Sequence, residues 1–125
     1  MAKGLIFLVS AILLLSIYVS ADSITTESIY PSSAYICGPY PNNVTITALG
    51  VYNNESSNIT GITAVLIMPS PSALSLLTNQ SVSLGNLSPG TKSSANPSWT
   101  VKCDDATIGS YAVYVNYTST NGFNG

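Results

Sequence analysis

Short runs in which apolar and polar residues alternate recur along this chain about every ten positions, and that period of two leaves little room for anything but antiparallel β structure. Ser110 to Thr118 puts Tyr111, Val113, Val115 and Tyr117 on one face and Ala112, Tyr114, Asn116 and Thr118 on the other. Ser98 to Cys103 sets Trp99, Val101 and Cys103 against Thr100 and Lys102. Asn43 to Tyr52 alternates through Val44, Ile46 and Ala48, then slips phase at Leu49 and Val51, with Gly50 between them as the expected bulge. Ile59 to Met68 is a more continuous apolar run that stops at Pro69-Ser70-Pro71, and Ser81 to Leu87 runs into a Ser88-Pro89-Gly90 turn. Asn53 to Ser57 reads as a turn, and Ala73 to Leu77 as one short helical turn. There is no internal repeat. The predicted fold is an all-β antiparallel sandwich with Trp99 in its core and Tyr114 on its surface.

The N-terminus is a separate object. Lys3 precedes an apolar run from Leu5 to Val19, broken only by Ser10 and Ser16 and ending in Val19-Ser20-Ala21. That pattern predicts a secretory signal peptide over residues 1–21, a hydrophobic helix cleaved between Ala21 and Asp22. The run falls a little short of the roughly 20 apolar residues that span a bilayer. Lys3-Gly4-Leu5 ahead of an apolar run also resembles the archaeal prepilin cleavage pattern, which would keep the helix from Leu5 onward. The expected domains are the signal peptide at 1–21, an extended segment at 22–41 and the sandwich at 42–125.

Export explains the composition of the remaining 104 residues, 40 of which are Ser, Thr or Asn. Hydroxyls and amides, in place of charges, make the surface polar. Six Asn-x-Ser/Thr sequons begin at Asn43, Asn54, Asn58, Asn79, Asn86 and Asn116, and are candidate N-glycosylation sites. Asn96 is excluded by Pro97. In an oxidising compartment Cys37 and Cys103 are expected to form one structural disulfide. It would close a loop of about 66 residues, for which chain entropy gives roughly 4 kcal/mol.

The full 125 residues carry only three Lys, five Asp or Glu, no Arg and no His. Three lysines cannot supply the basic footprint that nucleic acid requires. Without His, the commonest general base and a frequent metal ligand are missing, and no Ser has an obvious activating partner. Asp104-Asp105 follows Cys103 and could bind Ca²⁺, but a polar turn is the simpler reading. Glu27 and Glu55 are too isolated for a glycosidase pair. No catalytic residue, metal site or cofactor is expected, and few ion pairs are offered for acid to break.

The order NVTITALGVYNN, NITGITAVLIMPSP, SVSLGNLSPG, SWTVKC and GSYAVYVNYTSTNG, over about residues 42–122, resembles the immunoglobulin-like modules of archaeal cell surfaces, of the CARDB and alpha-galactosidase-associated type. The resemblance implies an immunoglobulin-like sandwich and says little about function, because the module is widely reused. In such modules one more strand follows the Gly-Ser-Tyr strand, whereas here Thr120 to Gly125 only starts the turn. A longer parent chain is the expected source of that strand; the Ser23 to Ile36 segment, with Pro31 suited to an edge, or a partner's strand are the alternatives.

Among envelope proteins the chain resembles the start of the small, stalk-forming S-layer subunits of Sulfolobales. These join a signal peptide and immunoglobulin-like sandwiches to a coiled coil and a membrane anchor. The implied role is structural and extracellular, with the large S-layer subunit and further copies of the chain as partners. Membrane contact would run only through a C-terminal part or an uncleaved N-terminus. A surface filament subunit (pilin-like or strand-complemented) and a secreted glycan- or peptide-binding module are the rival expectations.

Overall fold

The computed structural model describes residues 22–34, 43–68, 74–103 and 112–125. The expectations for residues 1–21, Cys37, Asp104, Asp105 and Tyr111 lie outside the described residues. Seven strands are present: β1 (Ile24–Tyr30), β2 (Asn43–Asn53), β3 (Ile59–Ile67), β4 (Leu74–Leu76), β5 (Ser81–Leu87), β6 (Ser98–Cys103) and β7 (Tyr114–Thr118). They form two antiparallel sheets, β1-β2-β6-β4 and β5-β3-β7, with no helix among the described residues.

The alternation in the sequence dictates the core. Sheet one turns Ile24, Ile46, Val51, Trp99 and Val101 inward; sheet two answers with Ile59, Ile62, Ala64, Leu66, Leu87 and Tyr117, all nearly solvent-free. Burying each large aliphatic among them contributes about 1.5–3 kcal/mol. Trp99 stands directly opposite Ile46, and Val101 opposite Val44, so β2 and β6 pack as a matched pair.

Gly50 sits where β2 changes phase, from Ile46 and Ala48 inward to Val51 and Asn53 inward. Its φ of +66° suits glycine, and a Cβ there would run into the Glu27 side chain. β1 changes phase at the facing residue, from Ile24 and Thr26 to Ile29, so the two strands keep one register across the kink. At Gly61 (φ +57°) the pairing of β3 with β5 does shift, and the Gly61 N–H donates to Asn86 Oδ1 at 2.9 Å.

Two polar contacts tie the sheets together through the core. Trp99 Nε1 donates to the Gln80 carbonyl at 2.8 Å, which also accepts the Leu66 N–H at 3.1 Å. On the other side the Tyr117 hydroxyl bonds Thr26 Oγ1. Burial pushes the Tyr117 hydroxyl above the ordinary tyrosine value, and the Thr26 bond opposes that push.

Three local outcomes differ from, or sharpen, the expectations. Ala73 to Leu77 is not a helical turn: Leu74, Ser75 and Leu76 pair with Cys103, Lys102 and Val101 as β4. The backbone of the β6 edge offers hydrogen bonds that a single isolated helical turn cannot match. The segment expected to run ahead of the sandwich supplies β1, the edge of the first sheet, and ends just before Pro31. It therefore does not lie where a strand beyond β7 would.

The last residues instead fold back there. Gly125 exchanges both backbone bonds with Tyr117 (2.7 and 3.2 Å), and Asn124 O accepts from Ser23 N and Ile24 N (3.1 and 3.3 Å). Beyond that point on the same edge, the outward backbone groups of Val115 and Val113 have no partner among the described residues.

Candidate glycan-bearing surface

A sequon written onto a β-strand has a built-in geometry. Side chains alternate between faces, so an outward Asn is followed by an inward residue and then by an outward hydroxyl. In four of the six sequons the middle residue faces inward: Val44, Ile59, Leu87 and Tyr117 all belong to or pack on the core. The asparagines on either side of this logic, Asn43, Asn58, Asn86 and Asn116, are exposed. Asn54 and Asn79 sit in the β2–β3 and β4–β5 connections and are exposed as well. All six candidate residues therefore present their side chains to solvent.

The structure does not gather them into one site. Asn54 and Asn58 lie at the β2–β3 end, where the Asn54 amide reaches the Asp22 carbonyl at 3.5 Å and the Asn58 carbonyl accepts from Asn121 Nδ2 at 2.9 Å. Asn43 opens β2 opposite Lys102, Asn86 holds the Gly61 bulge from β5, and Asn116 faces Val65 from β7. The Asn86 bond uses only Oδ1, so attaching a sugar at Nδ2 leaves it intact.

The outer faces of the two sheets differ in chemistry. Sheet one pairs Thr45 with Thr100 and Thr47 with Ser98, a surface of hydroxyls with Thr45 Oγ1 3.3 Å from Thr100 Oγ1. Sheet two sets Val65 opposite Asn116 and Ile67 opposite Tyr114, and Tyr114 is 63% exposed. The expectations that Trp99 is core and Tyr114 surface both hold, with Trp99 at 0% exposure.

The remaining chemical candidates have ordinary surroundings. Glu27 pairs with Lys92 at 3.1 Å on the surface, and Glu55 accepts a bond from Ser23 Oγ at 2.6 Å. No group of three or more His, Cys, Asp or Glu gathers among the described residues, and no helix there is long and apolar enough to cross a membrane. Cys103 closes β6, is buried, and is not a free thiol.

Sequence reasoning missed Asn53, which was read as one more turn residue. It is the only buried polar residue of the described chain, at 0% exposure. Its Nδ2 donates to the carbonyls of Ser57 and Leu87, both at 2.9 Å, and its Oδ1 accepts the Glu55 N–H at 2.8 Å. Its backbone bonds Thr91 and Gly90. The available signal was its place in phase with Val51 after the Gly50 slip. No family model, curated protein or solved structure matches the chain.

Proposed function

We propose that this chain is an exported, glycosylated structural component of an archaeal cell envelope, built on an immunoglobulin-like sandwich and acting as the small, stalk-forming subunit that supports an outer S-layer lattice. The observation that carries this reading is the division of its asparagines. Every sequon asparagine is exposed, while Asn53, which is not a sequon, is buried and bonded on all sides. A surface made polar by amides and hydroxyls, with one exposed ion pair among the described residues, suits a coat protein that carries sugars.

In this reading the signal segment directs export and is removed before Asp22. Cys37 and Cys103 join in the oxidising exterior as one structural disulfide. The large S-layer subunit and further copies of this chain are the partners. No residue performs chemistry.

The β7 edge at Val113 and Val115, where the outward backbone groups find no partner among the described residues, favours one second reading, a filament subunit whose neighbour supplies a strand there. Intact-mass analysis of the protein purified from its own envelope separates the two. An N-terminus at Asp22, with mass added by sugars and no neighbour strand protecting β7 from amide exchange, supports the stalk subunit. An N-terminus at Leu5, or protection of Val113 and Val115 only in the assembled state, replaces it with the filament.

A further inference from the structure

Tyr114 stands out among the exposed apolar side chains. Tyr30, Ile67, Leu77 and Tyr114 are the large ones that face solvent. Of these, Tyr114 alone precedes a sequon asparagine by two residues on one face of one strand. Tyr114, Asn116 and Thr118 form the outward row of β7, and all three are exposed. Residues two apart on a strand are about 6.6 Å apart, and cross-strand partners about 5 Å. Val65 faces Asn116 and Ile67 faces Tyr114 across the sheet, so Asn116 borders a small apolar patch of one ring and two aliphatic side chains. Nothing in the described chain covers it.

We propose that Asn116 carries an N-linked glycan whose first sugar ring lies against Tyr114 and covers the Val65–Ile67 patch. This deepens the proposed function, since it rests on the chain being an exported glycoprotein. The attachment forms a bond from Asn116 Nδ2 to the anomeric carbon of a saccharide activated as a lipid phosphate ester. The anomeric carbon–oxygen bond to phosphate breaks, and the Nδ2 proton leaves with the lipid phosphate.

Once attached, the sugar is held within one ring's width of Tyr114. One face of a pyranose is a plane of C–H groups, apolar and slightly positive, which complements the negative face of an aromatic ring. Attachment to the same strand places the sugar beside the ring in advance, so little freedom remains to be lost on docking. Of the other five sequons only Asn54 has an aromatic residue two positions earlier, Tyr52, and Asn54 lies just past the end of β2 and not on a strand beside it.

The test compares melting temperatures of the glycosylated protein from its native host in a mutant cycle. Removing the glycan by Asn116→Gln is expected to lower Tm by about 4 °C when Tyr114 is present. The same drop is expected in the Tyr114→Phe background, and it disappears in Tyr114→Ala. Upfield-shifted sugar C–H resonances that vanish in Tyr114→Ala would support the contact directly. Equal drops in all three backgrounds overturn the contact. Glycans at other sequons with Asn116 bare overturn this inference and leave the proposed function standing. No glycan at any sequon overturns both.

Discussion

The β2–β3 corner and the outer face of β7 use the same side chain for opposite ends. Asn53 and Asn116 both lie on strands, and only the phase of the alternation separates them. Asn53 falls in step with Val51 and points into the core, where a primary amide is tolerated because each of its polar atoms is paired. Asn116 falls between Val115 and Tyr117 and points out, where no described residue bonds its side chain. The difference shows what a charge-poor chain does with amides: inside they act as uncharged clamps, and outside they stand open to solvent, where we propose that sugars attach.

The sharpest way to break the comparison is at Asn53. Asn53→Ala leaves the Leu87 carbonyl unpaired in the interior and the Ser57 carbonyl and Glu55 N–H unpaired at its part-buried rim, at about 1–3 kcal/mol for each group that water cannot reach. The expected total is roughly 3–5 kcal/mol by guanidinium denaturation, enough to unfold much of a domain this size. Asn116→Gln, in protein made without glycosylation, should change stability by less than about 0.5 kcal/mol. Similar losses at the two positions would contradict the division.

Next in size is the link between sheets at Trp99. Trp99→Phe removes the donor to the Gln80 carbonyl and leaves a void, for an expected loss of about 2 kcal/mol. Tyr117→Phe removes the bond to Thr26 at an expected cost of about 1 kcal/mol. Tyr117 also gives the fold an alkaline limit. Its folded pKa lies above the unfolded value near 10, so its contribution is complete below that value and is lost as pH rises through the folded one. Denaturation midpoints should therefore fall above about pH 10 in the wild type. The Tyr117→Phe variant should show a smaller fall.

The smallest effect is expected at Glu27 and Lys92, which are 62% and 57% exposed and form the one ion pair among the described residues. Glu27→Gln should cost less than about 0.5 kcal/mol at moderate salt. A larger loss would show that the surface relies on charge after all.

Much of the fold was legible in the sequence because period two is a strong signal wherever one face is buried. β5 and β6 begin and end at the residues their alternation indicates, and β2 and β3 differ by one residue at one end. β4 was not legible, since Leu74 to Leu76 is too short for a period and takes its structure from the edge of β6. β1 was seen as extended, but its place beside β2 depends on pairing with residues 17 to 29 positions away.

The candidate surface was legible to the same degree. The strand sequons could be placed outward by parity alone, whereas the aliphatic neighbours of Asn116 and Tyr114 come from β3 and appear only once the sheet is assembled. Asn53 escaped because an Asn-rich turn hides a buried amide among exposed ones.

Site-resolved glycopeptide mass spectrometry of the protein taken from its native envelope tests the central claim most directly. Sugar is expected on the outward sequon asparagines, Asn116 among them, with Asn53 and Asn96 bare. Six unmodified sequons on a protein recovered from the cell surface would contradict it.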